Sequence, residues 1–294
     1  MNNMTDAPDL SIETERKIAR QFMGRIQWQV ILIGIGQSLL WLSNWYFVFT
    51  ETYSLFLGFI VATLCACVAY LPSHEGQHGN ISGRNKRWQW LDAWVGHITL
   101  IPLGMSYEVL RVTHMKHHAY TNDPDRDVDV NSGGDHWWQA AIGVHRGIPK
   151  KILALHARED PAFAEAMIKG VPIIKAFSFL QLILVIFFPI EKLLLWWIPK
   201  KIAFSYIAVY FSWYPHYPLV DRGRYKNTRF WQISIPRYFC QSMQTHIIHH
   251  MYPGIPHWDE PKAMEALRPF MIARGIPGAE DIPEKITFNP LIAK

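Results

Sequence analysis

The sequence predicts an all-helical integral membrane protein: four transmembrane helices with a helical cap on one side of the bilayer. Three observations predict it. Charge-free apolar runs reach the roughly 20 residues needed to cross a bilayer core. Lys and Arg gather in the polar segments rather than in the short links between runs. Histidines recur at helical spacing, at the ends of the runs and in those polar segments.

The elements follow in order. Residues 26–49 and 53–72 contain no charged side chain, and only Thr50, Glu51 and Thr52 separate them. A further apolar tract runs from Val171 to Tyr214, interrupted by Glu191-Lys192 and Lys200-Lys201. As one helix it would be about 66 Å long, about twice what a bilayer needs. It therefore reads as two crossings, near 171–190 and 193–214, with a short turn between. Trp and Tyr at the tract ends suit the interface belts.

Composition sets further bounds. Half of the 294 residues are hydrophobic and 14% are aromatic, which excludes a disordered chain. No repeat or linker divides the sequence, so residues 1–294 read as a single domain. The three cysteines, Cys65, Cys67 and Cys240, offer neither a disulfide framework nor a C-x-x-C site. The polar start and the long first run lack the features of a cleaved signal.

Orientation follows from basic residues. The short outer links hold Lys192, Lys200 and Lys201, while nearly all other Lys and Arg lie in the N-terminal arm, in 73–170 and in the tail from 216. The positive-inside rule places those segments, and both termini, in the cytoplasm. An inner cell membrane or its equivalent is the expected location. The net charge of +5 is mostly this asymmetry, and no nucleic-acid partner is expected.

The chain has fourteen histidines, and nine fall in four places. His74 and His78 form H-x-x-x-H at the end of the second run. His114, His117 and His118 form H-x-x-H-H in the central segment. His246, His249 and His250 repeat that box in the tail, and His216 follows the fourth run. On a helix, positions i, i+3 and i+4 share one face, so each box can aim all its imidazoles into one site. The topology, set from Lys and Arg alone, brings all nine to the cytoplasmic face. Nine imidazoles exceed what one metal takes and suit two ions with four or five ligands each. Imidazole serves zinc, copper, iron and nickel alike, so ligand type does not name the metal.

Two rival readings belong to other classes. His74-Glu75-Gly76-Gln77-His78 also spells H-E-x-x-H, the zinc-protease signature with Glu75 as general base. An intramembrane zinc protease would leave the remaining boxes unexplained, and Glu75 reads more simply as a variable position. A metal transporter would place its ligands at midplane depth, not at the span ends.

This pattern resembles the membrane fatty-acid desaturase and hydroxylase superfamily over roughly residues 25–275. The nearest likeness is to β-carotene hydroxylases of cyanobacterial type. It rests on the stretch from His117 to Pro124 with Asp127 and Asp129, on Tyr214-Pro215-His216-Tyr217-Pro218, and on the stretch from His246 to Pro256. Met243-Gln244-Thr245 departs from the Gln-Asn-Tyr that carotenoid members tend to carry before the third box. The resemblance implies two iron ions held by His74, His78, His114, His117, His118, His216, His246, His249 and His250. It implies O₂ as co-substrate and removal of hydrogen from an unactivated carbon, giving an alcohol or an alkene. The expected activity is carotenoid β-ring hydroxylation, with fatty-acyl desaturation or hydroxylation as the alternative. The sequence carries no dinucleotide fingerprint, so no bound organic cofactor is expected. A separate electron donor is implied, such as a ferredoxin with its reductase.

Around the boxes, Asp127 and Asp129 are placed to accept the second N–H of a ligand histidine, as carboxylates commonly do; Asn122-Asp123-Pro124 also reads as turn chemistry. His97 lies in the apolar stretch 93–105, too short to span, and reads as a packed histidine. His136, His145, His156 and His257 read as surface or structural, and Trp137-Trp138 as a headgroup anchor.

Overall fold

The protein is described by a computed structural model covering residues 9–287. Among the described residues there is no β-strand. Helix α1 (Ile12–Arg20) is capped by Ser11, whose hydroxyl accepts the Thr14 N–H. Helix α2 (Trp28–Phe49) is the first long apolar helix. Helix α3 (Leu55–Val68) runs through Ala69, itself α-helical, into α4 (Tyr70–Gln77). Together α3 and α4 make a 23-residue helix, Leu55–Gln77. The second crossing expected at 53–72 thus runs five residues further and carries His74 within it.

Then come α5 (Trp90–Thr99), α6 (Tyr107–Tyr120), α7 (Trp137–Gly143), α8 (Lys150–Glu159) and the 27-residue α9 (Pro161–Phe187). The third crossing expected at 171–190 is α9, which starts ten residues earlier, where Asp160 caps it and Pro161 opens it. The chain then turns at Phe188, at φ −141° and ψ 59°. The expected turn lay at Glu191-Lys192. It falls earlier because the residue before a proline, here Pro189, is driven out of the α region.

From Pro189 to His216 the chain is helical but changes pitch twice. Helices α10 (Pro189–Lys192), α11 (Ile198–Ile207) and α12 (Tyr214–His216) are joined by π-helical stretches, Leu193–Trp197 and Ala208–Trp213. Lys200 and Lys201 therefore lie inside α11 and not in an outer loop, which corrects the sequence reading. Among the described residues, three helices qualify by length and apolar composition to cross a membrane: Trp28–Phe49, Leu55–Gln77 and Pro161–Phe187. Helices α13 (His246–Met251) and α14 (Glu260–Ala273) complete the cap. The outermost ends of both expected cytoplasmic termini lie outside the described residues.

Packing separates the layers. Leu32, Leu39, Phe56 and Leu64 of α2 and α3, and most of α9, present apolar side chains outward. The inner seam is built on Trp41, whose ring meets Trp196 edge-on at 5.3 Å, with Ala62 and Cys65 beside them. Stretch 93–105 packs onto α2 and α4. That approach is close at Gly76, where a Cβ would lie 2.5 Å from the Asp92 carbonyl oxygen. The Tyr107 hydroxyl donates to the Gly76 carbonyl at 2.8 Å, fixing α6 beside α4. In the cap, Ile247, Ile248 and Met251 of α13 enter a core with Met264, Leu267 and Met271 of α14.

Candidate metal centre

Each box is positioned by a local feature of its helix. His74 lies on α4, and His78, four residues on, is the residue that caps its C-terminal end. His114, His117 and His118 lie on α6, which Ser106 caps. On α13, burying Ile247, Ile248 and Met251 against α14 turns His246, His249 and His250 to the other face. His216 ends the helical run that begins at Pro189, just after a π stretch, a feature often found at functional sites. Asn80 Nδ2 donates to the Pro253 carbonyl at 3.0 Å and so links the first box to the loop behind the third.

All nine histidines converge. The ligand nitrogens of His74, His78, His114 and His249 lie within 4.8 Å of one another, as do those of His117, His216 and His250. His118 joins the two groups: its Nε2 is 3.0 Å from His114 Nε2 and 2.9 Å from His249 Nε2, and its ring stacks on His250 at 4.3 Å. The His246 ring lies 4.9 Å from both His249 and His250. His78 and His114 approach at 2.8 Å through Nε2, His117 and His216 at 3.3 Å.

These nitrogens have little to bond except each other. Both ring nitrogens of His74, Nδ1 of His249 and Nε2 of His250 are buried without a hydrogen-bond partner. Burial, with crowding by neighbouring imidazoles, holds His114, His118, His246, His249 and His250 well below the usual histidine pKa. They are neutral near pH 7, the form that ligates metal. Burial also disfavours the charge on His117, but Asp127 and Asp129 outweigh it and raise that ring to about 9. Buried imidazoles gathered in two clusters, with orphaned ring nitrogens in each, fit two metal ions.

Of the two carboxylates expected behind the ligands, Asp127 reaches His117, with Oδ1 2.9 Å from Nδ1. Its other oxygen accepts the Asn122 N–H, so the Asn-Asp-Pro turn serves the site. Asp129 stays 3.7 Å from His117 Nδ1 and instead accepts from the Ser212 hydroxyl at 2.9 Å. His216 Nδ1 donates to the Asn227 carbonyl at 2.8 Å, a partner without a sequence signal.

The remaining histidines separate. His97 pairs with Glu108 at 2.9 Å. His136 and His145 are exposed. His156 is fully buried, bonded to the Arg126 carbonyl and stacked on Tyr120. His257 is also buried, with Nδ1 2.9 Å from Glu260 Oε2. Sequence reasoning missed Glu260 altogether and took Glu75 for a variable position. Glu75 is fully buried, accepts the His257 N–H at 2.8 Å and faces the back of the His74 ring.

A cavity of about 350 Å³ is lined in part by His114 and Asp129. Leu103, Leu110, Phe204 and Ile207 give it apolar walls, and Asn131, His145 and Lys201 also line it. A second, more polar opening reaches His78 past Arg84 and Arg111.

Known proteins place this geometry. Residues 50–277 match the fatty acid desaturase family model. The chain is 26% identical over 219 residues to a zeaxanthin 4-ketolase of Chlamydomonas reinhardtii, covering 70% of this chain and 43% of that protein. It is 25% identical over 217 residues to a beta-carotene ketolase of Paracoccus sp., covering 69% and 76%. It is 23% identical over 287 residues to an sn-1 oleoyl-lipid 12-desaturase of Picosynechococcus sp., covering 82% and 76%. The match therefore spans less than half of the Chlamydomonas relative. A family match across most of the chain, on residues that bring three histidine boxes together, leaves the protease reading without support: the chain is an oxidoreductase of the fatty acid desaturase family, within the membrane di-iron desaturase and hydroxylase superfamily.

Proposed function

We propose that this protein uses two irons and O₂ to oxidise a C–H bond of an elongated apolar lipid, and that the bond belongs to a carotenoid β-ring, which becomes hydroxylated. The observation that carries the reading is the apolar cavity that reaches His114 among its lining residues. Its volume lies within the range of about 300–1,000 Å³ typical of ligand sites.

The nine histidines would hold the ions, with His118 and His246 completing the two groups. Iron bound there supplies the oxidising power that no side chain has. The chain's own residues do the rest. Leu103, Leu110, Phe204 and Ile207 hold an apolar chain and exclude water. Burial keeps His114, His118, His246, His249 and His250 neutral, and Asp127 fixes the ring of His117. Four crossings, with Pro189 to His216 as the fourth, would put the centre and both termini on the cytoplasmic side. There a separate donor such as a ferredoxin with its reductase would deliver electrons.

Two relatives named as carotenoid ketolases favour a ring substrate. A fatty-acyl desaturase or hydroxylase is the second reading, supported by the oleoyl-lipid desaturase relative. Expression in a host that accumulates β-carotene separates them, with a His249→Ala variant as control. A hydroxylated ring supports the proposal, and a ring ketone moves the activity to ketolation. Unchanged pigment with an altered acyl profile overturns the carotenoid reading. A single zinc in place of two irons overturns the reading of the site.

A further inference from the structure

Behind the four-histidine group lies a second, buried layer of charge. Glu75 is 0% exposed and Glu260 1%. They come from parts of the sequence far apart, yet both are tied to one residue, His257. Its backbone N–H donates to Glu75 Oε2 at 2.8 Å, and its ring Nδ1 lies 2.9 Å from Glu260 Oε2. The Thr245 hydroxyl donates to the same Glu260 oxygen at 2.7 Å. Each carboxylate thus has one oxygen fixed and turns the other toward the site.

What those second oxygens face is specific. Glu75 Oε1 lies 3.7 Å from His74 Nδ1, and Glu260 Oε1 lies 4.0 Å from His249 Nδ1. His74 Nδ1, His249 Nδ1 and Glu75 Oε1 are all buried without a hydrogen-bond partner. Two orphaned ring nitrogens, from two different boxes, each face a buried carboxylate. Buried polar groups left unbonded are expensive, and the nearest acid to each of these nitrogens is one of the two carboxylates. In the other group the corresponding bonds are already made, by Asp127 to His117 and by the Asn227 carbonyl to His216.

We propose that Glu75 and Glu260 are positioning residues for the four-histidine group: each takes the Nδ1–H of one imidazole, His74 or His249, so that its Nε2 points at the metal, and His257 holds both carboxylates in place. The inference rests on the two-metal reading above. It also gives Glu75 a role behind a ligand ring, on the side away from the metal.

The test uses full-length protein purified with its iron. Glu75→Gln and Glu260→Gln should weaken the ion in the four-histidine group by roughly 10–100-fold, the usual effect of losing such a partner. Iron should fall toward one per chain after mild chelation, with one of two Mössbauer quadrupole doublets lost. Asp127→Asn should remove the other doublet. Glu260→Asp, which keeps the charge, should restore part of the iron. His257→Ala reads the same relationship through a residue that touches no ligand ring, in case a glutamate variant fails to fold. Variants with wild-type helicity that keep two irons, both doublets and wild-type release rates overturn the inference alone. Wild-type protein without two irons overturns the reading of the site and the inference with it.

Discussion

His117 Nδ1 lies 2.9 Å from Asp127 Oδ1, while Nε2 of the same ring faces His216. One nitrogen is committed to a carboxylate that is itself held by the backbone N–H groups of Asn122 and Asp129. The other is thereby aimed into the three-histidine group. Asp127→Asn keeps the shape and removes the charge. It should weaken metal at that group by about 10–100-fold. Competition with a chelator of known affinity measures it, and unchanged occupancy would refute the role.

The cavity lined by His114 makes a separate prediction. Leu110→Trp fills its apolar wall at a residue that is not itself a ligand. Product formed per bound iron should fall roughly 10–100-fold, since small displacements of a reacting carbon are costly. Iron content should stay at the wild-type level. A variant that turns over normally would show that the substrate lies elsewhere.

Gly76 tests how α4 is seated. A Cβ there meets the Asp92 carbonyl oxygen at 2.5 Å, and a backbone atom cannot swing aside. Gly76→Ala should cost about 1–3 kcal/mol and lower Tm in detergent by several degrees. Gly36, with nothing within 4 Å of its Cβ position, is the control, and Gly36→Ala should leave Tm unchanged or slightly raised.

Helix α1 is held by one buried carboxylate. Glu15 accepts from the Tyr252 hydroxyl at 2.8 Å and from Tyr225 at 3.0 Å, with Arg274 Nε at 3.3 Å. Glu15→Ala strands these groups at a cost of about 1–3 kcal/mol. Limited proteolysis between α1 and α2 should speed up several-fold. Equal cleavage rates would mean that the apolar contacts of Ala19 suffice.

Much of the centre was legible because spacing carries it. The boxes at 74, 114 and 246 obey helical periodicity, and a one-turn repeat on a helix puts side chains on one face wherever that helix lies. Asp127 was legible for the same local reason, ten residues from His117 across a turn. The π stretch before His216, the early turn at Phe188 and the extension of α3 to Gln77 were not. Helix pitch and helix ends depend on what packs against them, as Ser212 does against Asp129. Glu260 and His257 carried no spacing relationship to the boxes they support.

The sequence by itself determined the helical class, the apolar helices and the nine histidines, because hydropathy and a 3.6-residue period are local properties of the chain. Tertiary structure alone decided how seven of the nine fall into groups of four and three, which carboxylates stand behind which rings, and where an apolar cavity meets His114. Those depend on contacts between residues far apart in sequence, such as His257 with Glu75, and no local pattern encodes which distant side chain will fill a buried hydrogen bond.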